Sequence, residues 1–344
     1  MIAPFPKDEV IECALFTQWT RTESTAMALD PETQRLLDAM AAANRPAWRT
    51  LSPEAAREQY LSLRPAAQGP RPDGVNVANR TIQGPGGPIP IRIYRPERAA
   101  PDTRLPALVY AHGGGWVFGN LESHDVLCAQ FAIDAGITVV AVDYRLAPEV
   151  RFPGAFDDVV AALKWVAAHG PAIGIDPQRL AIGGDSAGGN LAAAVSIWAR
   201  DNKGPKLRLQ LLAYPVTDVQ ERSDSYREFH EGLGLDGLTM EWFIDHYTPD
   251  KATRADWRVS PLQASSLAGL PPALVLTAGY DPLRDEGRAY AWRLQKEGTV
   301  ADLVEFGGMM HGFLSSPMLL HGARRGAAIC AGALREALVL RGQQ

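Results

Sequence analysis

Residues 183–190 read GGDSAGGN, a single hydroxyl among glycines, placed where the apolar run RLAIGG gives way to the helical pattern AGGNLAAAV. A sharp strand-to-helix turn forces its central residue into a strained conformation and lifts that side chain clear of a sheet. Gly184 and Gly188 then remove the side chains that would collide two positions to either side. Ser186 is therefore a candidate nucleophile, and the N–H of Ala187, at a helix start, is a candidate donor to a developing negative charge. A glycine-rich turn capped by serine is the plainer reading of the pentapeptide. A phosphate-binding loop is disfavoured because its lysine is absent. Upstream, HGGGWVFG (112–119) follows the apolar run LPALVYA. Gly113 and Gly114 there are candidate oxyanion donors, and His112 reads as a brace for the loop.

A serine nucleophile needs a base, and the base needs an orienting acid. His311 follows a late strand pattern, VADLVEF, after what reads as a short loop, GGMM. His321, His169 and His124 fall on helix patterns away from strand ends, and His230 and His246 fall in a block outside the sheet pattern. In a parallel sheet, ligands bind beyond the carboxyl ends of the strands, which favours His311. Asp281 is first off the strand PALVLTAGY. It also reads as a helix N-cap before Pro282. Asp285 and Glu286 are expected on the following helix, pointing elsewhere. Ser186, Asp281 and His311 thus come in the order nucleophile, acid, base.

The elements that must position these groups are strands at 105–112, 137–144, 179–186, 207–215, 272–280 and 300–306, rich in Val, Leu, Ile and Ala as expected of parallel strands covered on both faces. Helix patterns at 122–135, 154–169, 187–201, 283–297 and 318–340 alternate with them, which argues for an α/β fold with a mostly parallel central sheet. VNVANRTIQ and IPIRIYRP flank GPGGP and predict an antiparallel hairpin leading in. Before it, Asp30-Pro31 and Ser52-Pro53 are N-cap signals for two helices outside the sheet. The block 216–262, with MEWFIDHY, supplies further helix outside the sheet. These two regions are natural parts of a cap. The expected division is an extension (1–26), cap helices (27–70), the first part of a catalytic domain (71–215), a cap insertion (216–262) and its second part (263–344).

The 344 residues carry a net charge of −5, 46% hydrophobic and 21% charged residues. That balance speaks against a nucleic-acid partner, which would call for a basic face. Cys13, Cys128 and Cys330 form no CxxC pair, so neither a disulfide framework nor a metal site is expected. The start, MIAPFPKDEVIECALF, has acids where a signal peptide is basic, and no stretch is apolar for long enough to span a bilayer. The expectation is a soluble cytoplasmic protein without stable membrane association.

The segments HGGGWVFG, VDYRLAPE, FPGAFDDV, GGDSAGGNLAAAV, SPL, LPPALVLTAGYDPLRDEG and HGF, in that order, resemble the hormone-sensitive-lipase-like branch of the α/β-hydrolases, the bacterial carboxylesterases called family IV. The resemblance covers about nine tenths of the chain. It implies the α/β-hydrolase fold with a helical cap and catalysis by Ser186, Asp281 and His311. It also implies Gly113, Gly114 and Ala187 as oxyanion donors and action on short-chain acyl esters without a cofactor. Two departures stand out. Such proteins usually begin near the equivalent of Met27, and LAPE is commonly followed by His and an apolar residue where this chain has Val150 and Arg151. Trp116, Phe118, Tyr214, Met309, Met310 and Phe313 flank the motifs and either line the substrate pocket or are ordinary core. Trp242 and Phe243 either close it from the cap or hold the cap together. The same triad serves amidases, lactonases and acyltransferases, and a non-catalytic ligand receptor on this scaffold would lack a triad member. By analogy with such folds, the last strand, near 300–306, would permit edge pairing into a homodimer.

Overall fold

The computed structural model describes residues 28–220 and 223–340, so the expected extension at 1–26 and Cys13 lie outside the described residues. Eight strands form one sheet in the order β1-β2-β4-β3-β5-β6-β7-β8. Strands β1 (Val75–Gly84) and β2 (Gly87–Pro96) make the predicted hairpin, with Gly84 opposite Gly87. β2 also runs antiparallel to β4 (Thr138–Val142). From β4 onward all pairings are parallel, through β3 (Leu105–Ala111), β5 (Ile175–Asp185), β6 (Leu207–Ala213), β7 (Ala273–Tyr280) and β8 (Ala301–Met310). β3, β4, β6 and β7 are buried almost throughout, because helices cover both faces.

Helices α3 (Asp125–Ala135) and α9 (His321–Arg335) pack together over one face, with Phe131, Leu320, Cys330 and Leu334 in the core between them and the sheet. α4 (Gly154–His169), α5 (Ala187–Asp201) and α8 (Arg284–Lys296) cover the other, with Leu163, Leu191, Val195 and Leu294 fully buried. Outside the sheet, α1 (Pro31–Ala42) and α2 (Pro53–Gln68) begin at the predicted caps. Asp30 accepts from the Glu32 N–H at 2.8 Å and Ser52 from that of Ala55 at 3.2 Å. α6 (Asp224–Glu228) and α7 (Gly237–Tyr247) lie between β6 and β7. Among the described residues no helix is long and apolar enough to cross a membrane.

One element differs from its sequence reading. GGMM is not a loop but the end of β8, which runs to Met310. A register shift on β7 between Ala278 and Tyr280 lets Phe306 and Met310 both find partners. The glycines belong there because the two strands touch: a Cβ on Gly279 would lie 2.0 Å from the Gly307 carbonyl oxygen. His311 therefore leaves the sheet directly at a strand end.

Candidate active site

β5 delivers Ser186, and α5 starts one residue later. Ser186 has φ 56° and ψ −120°, a conformation that costs energy for any side chain and is held by its surroundings. Its N–H donates to the Ala213 carbonyl at 2.9 Å. The flanking glycines are fixed by close approach to β3: a Cβ on Gly184 or Gly188 would stand 2.4 or 2.0 Å from the Ala111 carbonyl oxygen.

Two further strand ends converge on this hydroxyl. His311, after β8, places Nε2 2.9 Å from Ser186 Oγ. Its Nδ1 lies 2.7 Å from Oδ2 of Asp281, which follows β7 and is fully buried. The other Asp281 oxygen accepts from the Leu283 N–H at 2.8 Å, so one carboxylate both caps the turn and faces the imidazole. The remaining acids are occupied elsewhere. Asp285 accepts from the Ser225 N–H at 2.9 Å and pairs with Arg284 and Arg288. Glu286 accepts from the Thr217 N–H at 2.7 Å, and burial pushes its carboxyl well above the usual range. His321 is exposed and bonded to Glu32.

The oxyanion loop departs from expectation at Gly113. Its N–H donates to Asp185 Oδ1 at 2.9 Å and is not free to meet a ligand. Gly114 and Gly115 border the cavity that holds Ser186, and their N–H groups make no hydrogen bond within the described chain. Gly115, which sequence reasoning missed, borders the cavity where Gly113 does not. Its φ of 59° and the Phe243 ring 2.2 Å from where a Cβ would sit leave room for glycine only.

Asp185 anchors this loop from below. Besides Gly113 it accepts from Tyr110 Oη at 2.7 Å and faces His124 Nε2 at 3.1 Å. His124, expected away from the strand ends, is buried beside the nucleophile turn because a 3-10 turn (Glu122–His124) precedes α3. His112 places Nδ1 2.9 Å from the Gly113 carbonyl and stacks on Tyr144 at 4.2 Å. Burial and the neighbouring His124 lower its pKa to about 3, so it stays neutral. Burial alone would raise the Asp185 carboxyl. The pull of His124 and the Tyr110 hydroxyl outweighs it and holds the group at about 2, against an ordinary 3.8. A depressed carboxyl stabilises the fold above its unfolded value and loses that contribution as pH falls towards the folded one. Asp185→Asn is therefore expected to cost more stability at pH 7 than near pH 2, read as the gap between wild-type and variant urea midpoints at the two pH values.

The cavity at Ser186 has a volume of about 300 Å³. Phe118 and Met310 line it, and so does Phe243 from α7. Trp116, Tyr214, Met309 and Phe313 do not; they are core. Trp116 is fully buried and stacks on Tyr247 at 4.5 Å. Tyr214 stands 4.7 Å from the His311 ring and supports it, with Phe313 next to it at 5.5 Å. Met309 accepts from the Thr33 hydroxyl through its sulfur at 3.7 Å. Trp242 packs against Phe118 and Phe243 without bordering the cavity. The wall the sequence reading missed comes from the N-terminal helices. Leu36 and Met40 of α1 and Tyr60, Leu63 and Arg64 of α2, with Trp48 between the helices, border the cavity together with Phe243 of α7. Tyr60, Leu63, Arg64 and Ala67 fall at the i, i+3, i+4, i+7 spacing of one helix face, the signal that could have found them.

Residues 108–315 match the alpha/beta hydrolase fold family. A carboxylic ester hydrolase of Mycobacterium tuberculosis is 44% identical over 82% of this chain and 75% of its own length. An ethyl acetate hydrolase of Pseudomonas putida is 40% identical over 84% and 91%. Among solved structures, an alpha/beta hydrolase enzyme from the metagenome of Lake Arreo superposes with a TM-score of 0.87 at 41% identity, over 90% of this chain and 98% of that one.

Proposed function

The chain belongs to the α/β-hydrolase family, and from that premise we propose that it is a carboxylesterase that cleaves short-chain acyl esters through an acyl-enzyme on Ser186. The observation that carries this reading is the unbroken relay from Ser186 Oγ to His311 Nε2 at 2.9 Å and from His311 Nδ1 to Asp281 at 2.7 Å. As Oγ attacks the ester carbonyl, His311 accepts its proton. Asp281 keeps the other ring nitrogen protonated and offsets the charge of the imidazolium. The carbonyl oxygen becomes an oxyanion, received by the N–H groups of Gly114, Gly115 and Ala187. Collapse of this intermediate expels the alcohol, which takes the proton from His311. Water then repeats the steps on the acyl-enzyme and releases the carboxylic acid. The balance of protons and electron pairs calls on no cofactor.

The modest volume of the cavity, about 300 Å³ bordered by α1, α2 and α7, supports a short acyl group, and so does a relative named for hydrolysing ethyl acetate. A series of 4-nitrophenyl esters tests this. Acetyl and butanoyl esters should turn over fastest, with kcat/KM lower by about tenfold or more at dodecanoyl. Fastest turnover on the longest chains, or on the matching anilides in place of esters, would overturn the reading.

A further inference from the structure

Arg64 is only 9% exposed and borders the same cavity as Ser186. Its Nη2 donates to the Ser315 carbonyl, four residues after His311. Its Nε is fully enclosed and has no hydrogen-bond partner, and Nη1 makes no hydrogen bond to any described residue. The guanidinium carbon stands 5.4 Å from the centre of the Tyr60 ring, which steadies it without neutralising it. No carboxylate pairs with Arg64 among the described residues. Asp185, the one acid among the described residues that also borders the cavity, is committed to Tyr110, Gly113 and His124.

A buried guanidinium stays charged and is costly unless an anion meets it. The cavity walls are otherwise mainly apolar, so this cation is out of place in a site built for neutral esters alone. We propose that Arg64 is a recognition group for a free carboxylate on the substrate, so that the preferred substrates are short esters carrying a second, anionic carboxyl, such as half-esters of small dicarboxylic acids. This rests on the ester hydrolysis proposed above and narrows its substrate class. A single guanidinium balances a single carboxylate charge. A phosphate dianion would keep an uncompensated charge against apolar walls. The carboxylate would accept from Nη1, and a small turn of the side chain would bring Nε into reach as well.

The test compares monoethyl glutarate with its uncharged counterpart ethyl pentanoate, by kcat/KM at neutral pH, in wild type, Arg64→Met and Arg64→Lys. A charge-assisted hydrogen bond of the usual strength predicts a wild-type preference for the half-ester of about ten- to a hundredfold. That ratio should fall by about tenfold or more in Arg64→Met and recover in part in Arg64→Lys. Because a ratio is read, it does not depend on how much of each variant is folded. If Arg64 merely ties α2 to the turn after His311, both esters change together and the ratio stays constant, which overturns the proposal while ester hydrolysis stands. Wild-type enzyme that cleaves ethyl pentanoate and rejects the half-ester overturns it equally. Failure to cleave either ester would remove the premise and the proposal with it.

Discussion

Ser186→Ala is expected to lower ester turnover by roughly 10⁴–10⁶-fold and to leave the folded protein otherwise intact. The hydroxyl carries the bond-forming lone pair, and nothing beside it can substitute: in the described structure His311 Nε2 is its hydrogen-bond partner. The structural consequence is small. The turn is held by the Ser186 N–H on the Ala213 carbonyl and by the close approach of Gly184 and Gly188 to β3, and both survive the substitution. Alanine meets the same positive φ that serine does. Residual activity above the uncatalysed rate would come from the oxyanion donors acting on a bound ester. Thermal unfolding of the variant close to that of wild type, together with initial rates at saturating 4-nitrophenyl acetate, separates loss of chemistry from loss of fold.

The second large effect is at Asp281, where Asp281→Asn should cost roughly 10⁴-fold in kcat. The two oxygens have different duties, one accepting from Leu283 N–H and the other facing His311 Nδ1. An amide cannot serve both. If its oxygen keeps the cap, its NH₂ faces Nδ1 and drives the ring proton onto Nε2, which then cannot accept from Ser186. If the amide flips to suit the imidazole, its NH₂ opposes the Leu283 N–H. Asp285→Asn is the matched control, since its bonds run to Ser225, Arg284 and Arg288. It should leave kcat within about threefold, because it touches no reacting atom. A larger loss at Asp285 than at Asp281 would show that the acid was misassigned.

The strand–helix alternation and the groups at strand ends were legible because they rest on local rules. Apolar runs of strand length, N-caps at Asp30 and Ser52, and glycines around a serine each carry their reason in a few neighbouring residues. GGMM misled because two glycines read as a loop, whereas here they answer to the close contact of β8 with β7, a fact of the partner strand. The pocket was the least legible part. Trp116, Tyr214 and Phe313 lie beside motifs along the chain, but whether a side chain beyond a strand end faces the cavity or the core depends on backbone turns: both Trp116 and Tyr214 have positive φ. Part of the cavity wall instead comes from α1 and α2, more than a hundred residues before Ser186, and only the assembled fold brings them over it. Gly113 failed for a similar reason. The motif supplies several N–H groups, and the carboxylate of Asp185, contributed by another strand, decides which of them is already taken.

Ester cleavage at this site requires above all that Ser186 be activated by its neighbours. Treatment with a fluorophosphonate probe, followed by mass spectrometry of the digested protein, addresses that directly. One adduct per chain is expected, on the peptide containing Ser186, and it should be absent in Ser186→Ala and strongly slowed in His311→Ala. An unlabelled wild-type protein that still hydrolyses 4-nitrophenyl acetate, or an adduct on another residue, would contradict it.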